Sequence, residues 1–398
     1  MKITKVESLH ADGGWRPFSF LKLSTDEGLV GWAEYGCGRW APALPQAIER
    51  LADSVIGRDP RDFHRLSAEL HAITRFTAGG LAAQGIAAIE NGCIDIAAKA
   101  AGIPVHALFG GRFRERIPLY WSHCGSFRPR DADFFERILG RPPLETLDDM
   151  ARLGEEVIER GYGAAKINPI LFGSPGPRLF NPGFVAQGLE FGRTADAETL
   201  DAIQRQVEAF ADGVRGRAAI LLDINFGFTP EAAARIGQRL EAFDLKWLEY
   251  DIHEPAVLAD LRSRVPMAVA SLESIYGRRG YRPYFEARAA DFAVVDILWN
   301  GFAESVRIAN LAEIHDVNVA PHNFYGPLAD LMAAQFCSVV PNLEIMEFEG
   351  DDVPWKYDLL SRRPDLRPGS ISAPDTPGWG ADVNEDAVAE HPWTAAPT

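Results

Sequence analysis

The strongest constraint on this chain of 398 residues is a series of three acids, each ending a short apolar run: Ile220-Leu221-Leu222-Asp223, Lys246-Trp247-Leu248-Glu249 and Val269-Ala270-Ser271-Leu272-Glu273. Between them lie two candidate helices, one opened by Thr229-Pro230-Glu231 and the other by Pro255. The order strand, helix, strand, helix, strand is that of a parallel sheet. The acids are 26 residues apart (223 to 249) and then 24 (249 to 273), one βα unit each time. In a closed β/α barrel the C-terminal strand ends converge on one mouth, where active sites lie. Three carboxylates gathered there repel one another unless a cation sits among them, and oxygen donors that leave room for water and substrate suit Mg2+. The alternative is that each acid caps the helix that follows it.

The same spacing continues downstream. Asp296 follows Phe292-Ala293-Val294-Val295, His322 follows Asn318-Val319-Ala320-Pro321, and Glu347 follows Leu343-Glu344-Ile345-Met346, at increments of 23, 26 and 25 residues. Upstream, Lys166 closes Gly163-Ala164-Ala165 after a helical stretch from Leu147 to Arg160. Together these groups suffice for proton abstraction beside a carboxylate. A metal and Lys166 offset the charge that develops, and a histidine supplies a base near neutral pH. An aspartate one strand away fixes the tautomer of that histidine. Glu347, if an apolar setting keeps it protonated, donates to the second carboxylate oxygen. On the other reading His322 closes its loop and Asp296 is a buried carboxylate bonded to backbone.

The ordered series Lys166-x-Asn168, Asp223-x-Asn225, Glu249, Glu273, Asp296, His322, Glu347 resembles the enolase superfamily, in its mandelate racemase subgroup. The resemblance extends to Gly31-Trp32-Ala33-Glu34, the helix from Ala87 to Ala101, Gly102-Ile103-Pro104-Val105 and Gly110-Gly111. The members that dehydrate acid sugars are the nearest in character. The implied fold class is α/β: a TIM-like (β/α)8-type barrel, strict or modified, over residues 116–354, with an α+β capping domain over residues 1–115 completed by the tail 355–398. Asp223, Glu249 and Glu273 are then the Mg2+ ligands, and Lys166, Asp296, His322 and Glu347 the catalytic set. In such families an amino-terminal loop closes over the mouth, which makes Trp15 and Arg16 candidate substrate contacts; read alone, that stretch is a surface loop with a packed Trp.

One departure from the subgroup bears on the reaction. Racemases of the subgroup carry a second Lys two residues after the first, where this chain has Asn168, and an amide neither takes nor gives that proton. A reaction on one face is therefore expected. His322 removes the α-proton and, now protonated, returns it to the departing β-hydroxyl, so that a sugar acid becomes a 2-keto-3-deoxy acid through an Mg2+-stabilised enediolate. The alternatives are a racemase, epimerase or cycloisomerase using the same intermediate, and a barrel that binds without catalysing. Asn168, Asn225, Asn323 and Tyr325 are further candidate contacts, Asn225 on the argument that a two-residue period puts it on the side of Asp223.

Composition narrows the partners. A net charge of −16 disfavours nucleic acid and anionic membrane. Four scattered cysteines form no C-x-x-C pair and point to a reducing cytoplasm. No apolar run approaches the ~18 residues of a membrane span. The expected partner is a small-molecule carboxylate, and the chain is expected to form a homo-oligomer. Strands are expected at Ile3–Leu9, Phe20–Ser24 and Val30–Tyr35, and helices at Pro45–Ile56, Phe63–Thr74 and Ala82–Ala100. The 57 residues from Lys166 to Asp223 exceed one repeat, which implies an insertion over 169–194, read either as a lid or specificity loop at the mouth or as an oligomer contact or disordered excursion.

Overall fold

The computed structural model describes residues 1–38, 41–173, 176–182 and 192–394. Its centre is a ring of eight parallel strands: Arg116–Ser122, Ala164–Ile167, Ala219–Asp223, Trp247–Glu249, Ala268–Ser271, Phe292–Asp296, Asn318–His322 and Met346–Glu349. The eighth strand pairs with the first from Met346 opposite Leu119 to Glu349 opposite Ser122. The seventh and eighth meet through the Val319–Leu343 bridge, with Glu344 N donating to Val319 O at 2.9 Å, which closes the ring.

Each of the seven intervals between strands carries a major helix: Leu147–Glu159, Ala197–Val214, Pro230–Arg239, Pro255–Arg264, Gly277–Glu286, Phe302–Ile314 and Pro327–Val339. Their starts follow from local chemistry. Thr146 and Asp149 form a reciprocal capping box, Asp196 and Thr229 accept from N–H groups of the first turn, and Pro230, Pro255 and Pro327 open helices where a missing N–H costs nothing. After the eighth strand the chain leaves through the 3-10 turn Lys356–Leu359, so the barrel has a (β/α)7β order among the described residues.

The lumen is filled by one residue from each strand position: Tyr120, Ala164, Leu221, Trp247, Ala270, Val294, Ala320 and Ile345. Three alanines leave room for the large rings, and Tyr120 meets Trp247 edge-on at 5.6 Å. This layer is the floor of the site. Side chains repeat with period two along a strand, so the next inward layer is Ser122, Lys166, Asp223, Glu249, Asp296, His322 and Glu347.

The N-terminal segment forms an antiparallel sheet of Ile3–Asp12, Pro17–Thr25 and Val30–Tyr35. The first two strands run further than expected because a tight turn at 13–16, with Gly13 N donating to Arg16 O at 2.9 Å, keeps them paired to Asp12 and Pro17. Helices follow at Leu44–Ala52, Phe63–Ile73 and Gly80–Ala101. The first is shorter than the predicted Pro45–Ile56. The last is buried over most of its length, because it packs on the sheet on one side and on the barrel on the other. There Asn91 donates to Ile297 O and accepts from Phe302 N.

The C-terminal tail returns across both parts. Ser370–Ser372 adds an antiparallel strand to Arg116–Pro118, and the Trp379 indole donates to Trp32 O at 2.8 Å. Of the predicted insertion, Ile170–Leu171 and Arg178–Leu179 pair as a short hairpin; residues 174–175 and 183–191 lie outside the described residues. Among the described residues no helix is long and apolar enough to cross a membrane, and all four cysteines are free thiols.

Candidate active site

Strand register brings the predicted acids together. Asp223 lies opposite Glu249, and Asp296 opposite His322, at the same height in adjacent strands. Glu273 arrives by a different route. Its strand ends at Ser271, Leu272 takes a left-handed φ of +88°, and Glu273 is thereby turned to the mouth one residue later than the period demands.

Lys166 is the positive centre, 1% exposed. Its Nζ lies 2.9 Å from Glu249 Oε1, 3.0 Å from Glu347 Oε1 and 3.7 Å from Asp223 Oδ2. Burial alone would lower its pKa, but those carboxylates raise it well above the lysine range. Beneath it, the Trp247 indole donates to Glu249 Oε2 at 3.0 Å, which ties an acid of the site to the floor. Glu249 is raised to about 8, first by burial and then by the charges of Asp223 and Glu347 working against Lys166. Glu273 is likewise pushed well above its usual range by burial and by Asp251, Asp223 and Glu249.

A histidine–carboxylate pair faces this cluster. His322 Nδ1 donates to Asp296 Oδ2 at 2.5 Å, and the Tyr325 hydroxyl donates to the same oxygen, also at 2.5 Å. Asp296 Oδ1 accepts from the N–H groups of Leu298 at 2.7 Å and Trp299 at 2.9 Å, so the carboxylate is held from both ends. His322 Nε2 points to the acids, 3.5 Å from Glu273 Oε2. Burial lowers the pKa of this imidazole, but Glu273, Glu347 and Asp296 outweigh it and raise it to about 10.

Two sequence expectations need correction. The sequence makes Glu347 a donor only if its setting keeps it protonated; Lys166, His322 and the Ser122 hydroxyl instead hold it as a carboxylate well below its usual range, against the cost of burial, and Asn323 N donates to its Oε2 at 2.8 Å. Asn225 was placed by strand period; it lies past the strand end with φ +50°, its N–H bonded to Asp223 Oδ1. Its Nδ2 is nonetheless buried and unpartnered among the described residues.

The remaining predicted contacts divide. Asn168 uses both ends of its amide within the protein, accepting from Ser126 Oγ and donating to Asp223 O. Asn323 donates to Asp330, while its Oδ1 has no partner among the described residues. The N-terminal loop does reach the mouth. Trp15 lies 4.6 Å from the ring of Phe127 and 6.4 Å from Phe324, whose own ring is 5.0 Å from His322. Arg16 stacks on Trp15 and donates through Nη2 to Tyr325 O and Asp352, leaving its Nε and Nη1 and the Trp15 Nε1 buried without partners among the described residues.

Sequence reasoning missed Asp251, which accepts from Ser271 Oγ and Leu272 N beside Glu273, and which a period-two step from Glu249 would have found. It also missed Ser122 and His123. Among the described residues no three His, Cys, Asp or Glu side chains close into a metal-ligating group as they stand. The donor set nevertheless fits a hard divalent cation: three oxygen ligands on adjacent strand ends, two of them already sharing one cation in Lys166, with more negative charge than that lysine balances.

Comparison with known proteins agrees with this geometry. Residues 149–387 match the family model described as enolase C-terminal domain-like, and residues 11–110 match the mandelate racemase / muconate lactonizing enzyme N-terminal domain. D-xylonate dehydratase of Haloferax volcanii is 27% identical over 400 residues, covering 98% of this chain and 89% of that protein. D-galactarolactone cycloisomerase of Agrobacterium fabrum is 28% identical over 405 residues, covering 97% and 94%. A crystal structure from Burkholderia xenovorans, provisionally named an L-alanine-DL-glutamate epimerase and bound to magnesium and fumarate, is 39% identical with a TM-score of 0.94, covering 98% of this chain and 96% of that one. The chain belongs to the enolase superfamily, in its mandelate racemase subgroup.

Proposed function

We propose that the protein is a carbon–oxygen lyase that dehydrates a sugar acid to a 2-keto-3-deoxy acid, with Mg2+ held by Asp223, Glu249 and Glu273. The observation that carries this reading is the asymmetry of the bases. One face of the site has His322, oriented by Asp296 and open at Nε2. The position where a second base would sit is Asn168, an amide fully engaged with Ser126 and Asp223. Lys166 is enclosed by three carboxylates.

When bound, the cation supplies positive charge to the substrate carboxylate as the α-carbon loses its proton. Lys166 adds a second fixed positive charge on the same side, already oriented before substrate arrives. With a cation offsetting Glu273, the carboxylate that does most to raise this imidazole, neutral His322 Nε2 takes the α-proton; the electron pair of the broken C–H bond moves toward the carboxylate, and its return forms the new carbon–carbon double bond as the β C–O bond breaks. The imidazolium then gives the proton to the leaving hydroxyl, which departs as water, and the enol product tautomerises to the keto acid. Asp296 stabilises the imidazolium throughout, and Tyr325, which shares its oxygen, keeps that carboxylate from turning away.

Epimerisation or cycloisomerisation is the second reading, favoured by the name of the Agrobacterium relative. The Mg2+-loaded protein incubated with D-xylonate, D-gluconate and D-galactonate is expected to release a 2-keto-3-deoxy acid from at least one of them, and a chelator is expected to stop that release. Interconversion of epimers without loss of water would overturn the dehydratase assignment.

A further inference from the structure

His123 follows the first barrel strand directly and has no part in the chemistry described above. Its backbone lies at φ +46°, a left-handed conformation that costs a non-glycine residue about 1–2 kcal/mol and persists where the surroundings impose it. The surroundings here are specific. The ring stacks on Phe127 at 4.9 Å and meets Phe324 edge-on at 5.2 Å, and Phe324 touches His322. Trp15 from the N-terminal loop lies against both phenylalanines, so the imidazole is fixed in one wall of the mouth.

The hydrogen bonds settle its tautomer. Two oxygens face His123 Nδ1: Ser122 Oγ at 3.2 Å, whose hydroxyl proton is already given to Glu347, and Glu349 Oε2 at 3.4 Å, so both are placed to accept and Nδ1 carries the hydrogen. Nε2 is then a lone-pair acceptor, and it has no hydrogen-bond partner among the described residues. His123 and His322 both lie against the Phe324 ring, and Lys166, Glu347, Asp223 and His322 all act electrostatically on the His123 imidazole. Burial lowers its pKa to about 3, so it stays neutral: an acceptor of hydrogen bonds rather than a proton carrier.

We propose that His123 contacts the substrate, its Nε2 accepting a hydrogen bond from one hydroxyl of the sugar acid, and that it thereby selects acids hydroxylated at that carbon. The chemistry is exclusive in a useful way. A neutral acceptor pairs with an O–H, while a second carboxylate at that position has no hydrogen to offer and is repelled. This rests on the sugar-acid reading above and deepens it.

The test is calorimetric binding of D-gluconate and D-xylonate, and of analogues each lacking one hydroxyl, to the Mg2+-loaded enzyme and two variants. Asn tolerates positive φ, and in His123→Asn it keeps a group near Ser122 while removing the acceptor at the Nε2 position; Gln in His123→Gln reaches far enough to restore it. Wild type is expected to lose about tenfold or more in affinity for one deoxy analogue. His123→Asn should show that loss for the parent acid and no longer distinguish the two, and His123→Gln should recover most of it. A His123→Asn protein that discriminates as wild type does would overturn this inference alone, whereas a wild type that neither binds nor exchanges any of the acids would overturn the proposed function and this inference with it.

Discussion

At the scale of single residues, the site depends on a balance of buried charge. Lys166 is surrounded by Glu249, Glu347 and Asp223 in a setting almost closed to solvent, and removing one partner of such a group typically costs 3–5 kcal/mol because the others are left uncompensated. Asp296 has a different task. It accepts from two backbone N–H groups, from Tyr325 and from His322 Nδ1, so every lone pair serves to orient the imidazole. Asp296→Asn would preserve the shape and offer His322 a donor in place of an acceptor, so the wrong tautomer would be held. By analogy with the loss from such a change in a serine protease triad, kcat is expected to fall about 10³- to 10⁴-fold with KM little changed. Steady-state kinetics on any accepted acid checks this, and a loss confined to KM would contradict it.

At the scale of elements, the long helix Gly80–Ala101 couples the N-terminal segment to the barrel. Glu90 on this helix is buried, and a Cβ on Gly301, at φ +79°, would sit 2.1 Å from its Oε2, so the helix and the barrel loop after Asn300 are in tight contact. Burial raises Glu90 to about 7, partly opposed by Ser67 and Arg307. The folded state therefore holds this proton to higher pH than the unfolded state, whose carboxyl titrates near 4.5. Stability from this group is complete below about pH 4.5 and is lost as pH rises through about 7, by up to about 3 kcal/mol. Glu90→Gln, which cannot ionise, should stabilise the protein relative to wild type at pH 8 and not at pH 5. Thermal melts at the two pH values decide it, and an equal shift at both would rule out the assigned cause.

The same scale shows why parts of the site were legible in the amino-acid sequence. Lys166, Asp223, Glu249, Asp296, His322 and Glu347 each stand two residues beyond a lumen-filling residue, so the period of the strands exposed them. Glu273 was found by its spacing although its geometry depends on Leu272 adopting positive φ, which no pattern announces. Asn225 and His123 also lie at positive φ past strand ends, where periodicity carries no information; the first was misplaced and the second overlooked. The ionisation of Glu347 depends on Lys166 and Ser122 from other strands, and no local signal predicts it.

At the scale of the whole molecule, a closed ring puts seven ionisable groups from successive strands above a single apolar floor, and the N-terminal loop and C-terminal tail complete the surroundings. The net charge of −16 opposes entry of an anionic acid. On the proposed function, capture would depend on a locally bound cation and Lys166 rather than on the overall field. On the proposed function His322 removes the proton α to a carboxylate on one face, and water then leaves. Proton NMR of the Mg2+-loaded enzyme with sugar acids in D2O, wild type beside His322→Asn, tests it most directly. In wild type the α-proton signal is expected to disappear as a deoxy product with deuterium at its new methylene accumulates, and His322→Asn is expected to show neither change while binding Mg2+ as before. Loss of the α-proton at an undiminished rate in His322→Asn, or epimer formation without a deoxy product in wild type, would contradict it.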